Sequence, residues 1–369
     1  MPAPDLNPRP ALCPRAPIAD LAPIVPQPSV AIVMRTRDRP LFLPRAIASV
    51  AAQDWPHWHL YVVNDGGDPG PVDAILATAL PPGRATALHL PDRHGMARAA
   101  NAALHRAVED LVVVHDDDDS WEAGYLSATA TFLADPAQAR FVGVSTGCTL
   151  IEERITDDGP ETVRRHAWPH ARGTVDLRRA VVDLQLPPIA LTFRRAALDA
   201  TGGQSEALTH LADLEFLHRL LLLGDIGFID RPLANYHLRQ RGTHGAAGNS
   251  VVEQVSERAE QALMLRNATL RGALTREPER LGLLQPLLMA IEENRQALDE
   301  RLAAIEALCA EQARLLAATQ DLVECQGALL RDVAARQAEA MRPGPFGRAW
   351  DALLPARRVV ARMRGRVGA

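Results

Sequence analysis

The sequence contains no lysine, so all 40 of its basic residues are arginine. We attribute this to a GC-rich genome rather than to a function. Cysteine is also scarce, because the four residues Cys13, Cys148, Cys309 and Cys325 lie far apart and form no CxxC pair. This spacing argues against a disulfide framework and a structural zinc site, and it fits a reducing compartment.

Long apolar runs are missing as well. No run reaches the roughly 20 residues that a membrane-spanning helix needs, and the N-terminus lacks the apolar core of a signal peptide. We therefore expect a cytoplasmic protein. A formal net charge of −5 argues against nucleic-acid binding by the whole chain. Its 369 residues suffice for one large domain or two.

The most informative stretch is Leu111–Trp121, which reads LVVVHDDDDSW. Its short apolar run predicts a buried strand of a parallel sheet, with Asp116–Asp119 at the carboxyl end of that strand. Open α/β sheets bind ligands at this end. Four neighbouring carboxylates repel one another, and a hard divalent cation such as Mg²⁺ or Mn²⁺ relieves that repulsion. The alternative interpretation is a solvated acidic turn.

The region around this stretch alternates between short apolar runs and segments with helical spacing. This alternation predicts βαβ units and an α/β fold with a mainly parallel, Rossmann-like sheet. Right-handed crossovers place the loops after the strands at one edge of the sheet. We therefore expect Arg35–Arg39, Asn64–Gly67 and Asp116–Asp119 to meet in one crevice.

Five motifs in order resemble family 2 glycosyltransferases with the GT-A fold. They are VAIVMRTRDRP, AIASVAAQDWPHWHLYVVNDGGD, GMARAANAAL, VVVHDDDDSWEAGYL and HLADLEFLHRLLLLGDIGFIDRPLANYHL. The resemblance runs from about Ser29 to about His237. It implies an enzyme that binds a nucleoside diphosphate sugar as donor.

The resemblance also implies roles for individual residues in donor binding. Asp65 matches the acid that accepts a hydrogen bond from the base, and Thr36 and Arg39 lie in the loop that frames the nucleoside. Arg37 stands where the family often has an aromatic residue, and a guanidinium can also stack on a base. Asp117 joins this donor-binding group. The alternative for Thr36 and Arg39 is an ordinary loop, and for Asp65 an Asx-turn.

The metal and the general base follow from the same resemblance. Asp116 and Asp118 match the Asp-x-Asp motif, with Asp118 as the direct ligand of a Mn²⁺ or Mg²⁺ ion that bridges the diphosphate. Asp213 falls on the position of the general base of an inverting transferase. Glu215 is the alternative base, although its spacing from Arg219 predicts an i,i+4 ion pair.

Two segments around this core have open interpretations. His237, Arg239 and His244 enter a glycine-rich segment, which predicts either a lid that closes over the diphosphate or a plain flexible loop. Residues 154–173 are polar and irregular, and we favour a surface loop over a contact to the acceptor.

The chain ends in a different pattern. We divide it into a Pro-rich disordered lead-in (1–28), the GT-A domain (29–250), a helical region (251–340) and a basic tail (341–369). Pro278 and Pro286 interrupt the helical region, and a long helix follows from Ile291 to Ala340. Leucines recur there every seven residues, which predicts either a coiled coil that forms a homodimer or a helix packed on its own domain. The tail is expected to hold the enzyme at the inner face of the cell membrane.

The predicted function is transfer of a sugar to a glycan or lipid-linked acceptor in bacterial surface glycan synthesis, with no nucleic-acid partner. An EF-hand is excluded because Trp121 and Ser127 stand where Gly and Glu are needed. A haloacid-dehalogenase-type phosphatase is excluded because its acidic pair lies on the first strand. A GT-A-like nucleotidyltransferase and a non-catalytic sugar-binding or scaffold protein on this fold stay as alternatives.

Overall fold

The computed structural model of the chain describes residues 24–157, 159–169, 173–180, 186–239 and 255–340. These residues divide into two compact units, which lie within residues 1–277 and 278–369. The boundary expected near residue 250 falls among residues 240–254, outside the described ranges, and it stays a prediction. His244, the basic tail and nearly all of the Pro-rich lead-in also lie outside them.

The first unit contains nine strands and eight helices in its described residues. The strands are β1 (Val30–Thr36), β2 (Trp58–Asp65), β3 (Ala85–Leu90), β4 (Leu111–Asp116), β5 (Ser120–Trp121), β6 (Phe141–Thr156), β7 (Gly159–Ala167), β8 (Leu191–Arg194) and β9 (Asp225–Arg239). The helices are α1 (Leu43–Ala51), α2 (Pro69–Ala79), α3 (Met96–Leu104), α4 (Tyr125–Ala134), α5 (Leu177–Ala180), α6 (Arg195–Thr201), α7 (Ala212–Leu223) and α8 (Val255–Arg276). The described part of the second unit begins with a short 3₁₀ turn, Pro278–Arg280, and continues as α9 (Leu281–Ala340).

The strands form one sheet in the order β3-β2-β1-β4-β8-β6-β9-β5, and β7 pairs with β6 outside this path. The first four strands in that order are parallel neighbours, whereas β8 runs antiparallel to both β4 and β6. Thr36 on β1 lies opposite Asn64 on β2, and Arg35 lies opposite Asp116 on β4. The register therefore brings the ends of three strands to one edge, and the predicted α/β fold followed by a C-terminal helix is confirmed.

The two faces of β1 pack into different layers of the core. Ile32 packs in a cluster with Ile47 of α1, and Val33 packs in the opposite cluster with Leu104 of α3. All four side chains are fully buried. Truncating such a residue to Ala costs about 2–5 kcal/mol, so this sandwich of helices around the sheet holds the strand ends in place.

Two strands differ from the sequence-based expectation. Residues 154–173 are predicted to be an irregular loop, but Gly159–Ala167 pairs with β6 as an antiparallel hairpin. The side chains of this strand are mostly exposed on both faces, so the apolar alternation that signals a strand is missing. The sequence predicts a strand only at Phe228–Ile229, followed by a turn at Arg231–Pro232. In the structure, β9 continues through Arg231 and Pro232.

A register irregularity explains how β9 accommodates its proline. Pro232 lies opposite Gly147 on β6, where the pairing register shifts on both sides of that glycine. A Cβ atom on Gly147 would lie 2.9 Å from the Arg231 carbonyl oxygen, so only glycine permits this approach. Proline lacks the amide that a regular ladder needs, and bulges are where sheets tolerate it.

The helix α9 is longer than predicted. It is expected to begin after Pro286, but it runs over 60 residues from Leu281 and includes that proline. Pro286 is the sixth residue of the helix, so its missing amide removes one hydrogen bond near the end and does not stop the helix. Pro278 does separate α8 from α9. None of the described helices combines the length and the apolar content needed to cross a bilayer.

Candidate active site

The acidic cluster Asp116–Asp119 begins at the last residue of β4, as predicted. Its first member, Asp116, forms an ion pair with Arg35 on the adjacent strand β1. The parallel register sets this pair, because Arg35 and Asp116 are directly opposite each other. Arg35 was expected only as part of a loop, and its position in the strand makes it a partner of the cluster.

Two further arginines converge on Asp118. Arg39, from the loop after β1, donates to Asp117 Oδ1 and Asp118 Oδ2, both at 2.9 Å. Arg239, the last residue of β9, donates to Asp118 Oδ2 at 2.5 Å and lies 4.7 Å from the ring centre of Phe42. Burial alone would raise the pKa of Asp118, but Arg239 and Arg39 outweigh it and lower that pKa. Asp118 is therefore the anionic centre of the cluster.

The neighbouring carboxylates behave differently. Burial, followed by the charge of Asp118, raises the pKa of Asp117 to about 6. The same two causes raise the pKa of Asp119 well above its usual value. The Oδ2 atoms of Asp117 and Asp119 are buried and accept no hydrogen bond from the described residues. The cluster thus contains carboxylates of unequal acidity, as expected for like charges held close together in a buried site.

A chain of hydrogen bonds lies behind the cluster. Ser120 Oγ lies 2.9 Å from His237 Nε2, and His237 Nδ1 lies 2.7 Å from Glu153 Oε1. Arg45 of α1 donates to Glu153 at 2.5 Å and to the Asp118 carbonyl oxygen at 2.6 Å. The His237 amide donates to Asp119 Oδ1 at 2.8 Å. This chain connects α1, β6 and β9 to the backbone of the cluster and fixes its position.

These contacts correct one prediction. His237 and Arg239 are expected in a lid or a flexible loop, but both are buried residues of β9. A residue held in the sheet by a carboxylate partner does not open and close as a lid. Whether either one contacts a diphosphate stays a prediction, and His244 lies outside the described residues.

Asp65 ends β2 at the same edge of the sheet. Its two carboxylate oxygens accept hydrogen bonds from the backbone amides of His94 at 2.7 Å and Gly95 at 2.9 Å. The adjacent Gly66 has φ +74°, and a Cβ atom there would lie 2.6 Å from the Arg93 amide nitrogen. Asp65 thereby holds the loop before α3 against the end of β2, and its predicted contact to a base stays a prediction.

The other residues predicted to bind the sugar donor do not all lie beside the acidic cluster. Thr36 is buried at the end of β1, and its hydroxyl favours the charged form of Asp117. Arg37 is exposed, with Nε 3.7 Å from Asp38 Oδ2, and it does not join the cluster. Asp38 is one of two non-glycine residues with positive φ among the described residues, and Leu211, immediately before α7, is the other. Such backbone conformations are often found at functional sites.

The two candidate bases lie in the first turn of α7. Asp213 is half-buried, and its charge is among the weaker electrostatic influences on Arg35 and Tyr236. Glu215 instead forms a two-point ion pair with Arg219, with both oxygens at 2.7 Å, as its spacing predicts. Arg219 also donates to the carbonyls of Thr201 and Gly203. This arrangement supports a structural role for Glu215 and leaves Asp213 as the candidate base in this turn.

Residues 29–174 match the sequence model of Glycosyl transferase family 2. That range contains Arg35, Arg39, Asp65 and the entire acidic cluster, which are the residues that the sheet brings to one edge. This part of the chain is therefore similar to glycosyl transferase family 2.

Two curated relatives carry related names. Over 111 residues the chain is 32% identical to WcaA of Escherichia coli (strain K12), named as a glycosyl transferase of colanic acid biosynthesis. Over 120 residues it is 28% identical to TuaG of Bacillus subtilis (strain 168), named as a glycosyltransferase of teichuronic acid biosynthesis. The matches cover 30% and 32% of this chain, and they span only 39% and 48% of those relatives.

Solved structures of glycosyltransferases are also similar. TarS from S. aureus in complex with UDP-GlcNAc superposes with a TM-score of 0.45 at 17% identity, over 60% of this chain and 61% of that chain. The mannosyltransferase PcManGT from Pyrobaculum calidifontis, in complex with GDP-Man and Mn²⁺, gives a TM-score of 0.44 at 20% identity over 60% and 61%.

The family implies a divalent metal, and the donor atoms of the cluster suit one. Arg35 uses Oδ1 of Asp116, whereas Arg39 and Arg239 use Oδ2 of Asp118, so these pairs leave the opposite oxygen of each carboxylate. The described residues contain no group of three His, Cys, Asp or Glu side chains arranged to hold a metal by themselves. Magnesium-type ions are commonly held by one or two carboxylates together with substrate phosphates, which is the set that Asp116 and Asp118 offer.

Proposed function

We propose that this chain is an inverting glycosyltransferase that moves a sugar from a nucleoside diphosphate sugar to an acceptor hydroxyl. The observation that carries the proposal is the arginine-bound acidic cluster at the edge of the sheet, and Asp213 in the first turn of α7 is the candidate base that the sequence motif gives. The family match covers the cluster but ends before α7.

The positive groups of the site suit a diphosphate. Arg35 and Arg39 each have a guanidinium that is half-buried beside the cluster, and arginine binds phosphate oxygens through two parallel hydrogen bonds. Asp116 and Asp118 would hold a Mn²⁺ or Mg²⁺ ion, which neutralises negative charge on a diphosphate leaving group when bound. Between them, these residues place positive charge where the departing oxygen becomes negative.

The nucleoside would lie toward the ends of β1 and β2. Thr36 and Asp65 lie at this edge, and Asp65 is the predicted partner of the base. Both of its oxygens already accept one backbone hydrogen bond. A carboxylate oxygen has two lone-pair positions, so one further donor from a base is compatible with this arrangement. Arg37, exposed next to this edge, would stack on the base.

Asp213 is the proposed general base. Its carboxylate takes the proton from the acceptor hydroxyl as that oxygen attacks the anomeric carbon from the face opposite the diphosphate. It stands second in α7, where the helix N-terminus favours a negative charge. Arg35, the ion-pair partner of Asp116, is also weakly influenced by the charge of Asp213.

The acceptor class is proposed from the relatives and not from the geometry. Both relatives are named for the synthesis of bacterial surface polysaccharides. We therefore propose a glycan or lipid-linked acceptor for this chain as well.

The test is a screen of nucleotide sugars with the purified full-length chain and Mn²⁺, in which release of the nucleoside diphosphate is measured. Asp213→Asn is expected to lower kcat by roughly 10²-fold or more while donor affinity is kept. Asp199→Asn, which changes an exposed carboxylate on α6, is the matched control and should leave kcat unchanged.

Each outcome of the screen is decisive for one part of the proposal. Release of nucleoside diphosphate by the unchanged chain supports a transferase over a scaffold protein, and release of pyrophosphate from a nucleoside triphosphate would support a nucleotidyltransferase. An equal loss of donor affinity and kcat in Asp213→Asn would make Asp213 a structural residue. Full activity in EDTA would remove the metal from the proposal.

A further inference from the structure

The helix α9 carries a continuous apolar stripe that is open to solvent. Leu308, Leu315, Leu322 and Leu329 repeat every seven residues, and each is 60–64% exposed. Ile305 lies three residues before Leu308 and Val333 lies four residues after Leu329, which are the spacings that separate positions a and d of a heptad. Exposed apolar surface of this extent marks an interaction site.

The stripe is wider than the seam of a two-position heptad. If the four leucines occupy position d, position e also holds exposed apolar residues at Leu302, Leu316, Val323 and Leu330. A face with three apolar positions per heptad is typical of helices that pack in a bundle core. From residue 302 to residue 333 this face is about 48 Å long. With a width of about 10 Å, it covers roughly 1,000 Å² over two copies, which is sufficient for a specific interface.

The polar residues on the stripe indicate which partner fits. With the leucines at d, Gln312, Thr319 and Gln326 occupy three successive a positions. A foreign apolar surface would leave their amides and hydroxyl without partners, which is costly. In a parallel, in-register pairing each of them meets its own copy and hydrogen-bonds with it. In an antiparallel pairing a positions face d positions, so the two glutamines and the threonine would face leucines.

The charge of the helix argues against an anionic membrane as partner. Residues 281–340 contain ten acidic residues and five arginines. This excess of negative charge is repelled by anionic lipid headgroups, whereas the mixed charges on the polar positions suit a solvated outer surface. A second copy of the chain would cover the apolar stripe and would also form hydrogen bonds with the polar residues at the a positions.

We propose that α9 is a self-association helix, through which copies of this chain assemble as a parallel, in-register bundle. Cysteine cross-linking tests the register directly, because residues at equivalent a positions of parallel helices approach within disulfide range. In a full-length chain whose four native cysteines are changed to serine, Thr319→Cys should give a covalent dimer on mild oxidation. Ala317→Cys, at the outward-facing f position, is the matched control and should stay uncrosslinked.

The mass of the full-length protein tests the association itself. The chain has a mass of 40.0 kDa, and light scattering after size exclusion should give at least twice that value. Leu315→Glu combined with Leu322→Glu should give the single-chain mass. Ala310→Glu combined with Ala317→Glu, at f positions of the same helix, should keep the larger mass.

Two results would overturn the proposal. A single-chain mass for the unchanged protein, whether or not it binds anionic vesicles, would show that no second copy covers the stripe. An oligomer that fails to cross-link through Thr319→Cys would reject the parallel, in-register arrangement. Neither result bears on sugar transfer, so this inference and the proposed function are tested separately.

Discussion

The ion pair between Asp118 and Arg239 is the most demanding feature of the site, because Arg239 is 0% exposed and Asp118 is 13% exposed. Asp118→Asn removes the negative charge and leaves a buried guanidinium with one carboxylate fewer. Breaking a buried pair in this way costs about 3–5 kcal/mol. Arg39 loses less, since Asp117 still accepts its hydrogen bond.

A second effect acts in the opposite direction. Asp118 is the second cause, after burial, of the raised pKa of Asp117 at about 6. Removal of the repulsion from Asp118 offsets a smaller part of the loss, so the net expected loss is about 2–4 kcal/mol in the free energy of unfolding. For a domain of this size that lowers Tm by about 4–16 °C.

The pH dependence of the free energy of unfolding gives an independent check on the repulsion between Asp118 and Asp117. The folded state keeps a proton on Asp117 up to about pH 6, whereas an unfolded aspartate loses it near 4. Between these values the folded state binds more protons, so this group makes stability fall as pH rises. Without Asp118 that fall should be smaller.

The assay is thermal and urea unfolding in EDTA at pH 4.5 and pH 7, comparing the unchanged chain, Asp118→Asn and Asp199→Asn. Asp199 pairs with Arg195 on the surface and is 62% exposed, so its replacement should change stability by less than about 1 kcal/mol. If Asp118→Asn lowers the free energy of unfolding by as little as Asp199→Asn does, the argument from buried charge is wrong.

Three further predictions concern other parts of the chain. Burial lowers the pKa of His115 to about 4, so its contribution to stability should be lost as pH falls from about 6.5 to 4, and urea unfolding in EDTA should show a flatter acid dependence for His115→Asn. Gly66→Ala should destabilise the chain more than Gly83→Ala in the same unfolding assay, because both glycines have positive φ but only Gly66 faces backbone at 2.6 Å. Deleting residues 341–369 should abolish sedimentation with anionic liposomes at low salt, and a full-length protein that never sediments would reject membrane attachment through the tail.

The parallel half of the sheet was predictable because its signals are local. A buried parallel strand such as β4 is a continuous apolar run, and the helices between the strands show apolar residues at helical spacing. The polar residues that follow each run then mark the edge where ligands bind. For this reason the sequence predicts the crevice with Asp65 and the Asp cluster.

The other half of the site was not predictable because its signals are non-local. Arg239 and Glu153 lie 121 and 108 residues from their partners Asp118 and Arg45. Their strands, β9 and β6, carry polar residues at positions that are buried because each residue has a partner of opposite charge there. A polar residue in a buried strand removes the apolar alternation, so the sequence predicts a lid or a loop at the end of β9.

The same charges explain why this site tolerates so many carboxylates without a ligand. Asp116, Asp118 and Glu153 are each paired with an arginine that comes from a different element, and the raised pKa values of Asp117 and Asp119 limit the remaining charge. On the proposed function, a diphosphate and a divalent cation would bring charges of opposite sign into this balanced set. The arginines would then hold phosphate oxygens, and the carboxylates would hold the cation. Ion pairs are replaced by ion pairs, so donor binding does not require any of these buried charges to be left uncompensated.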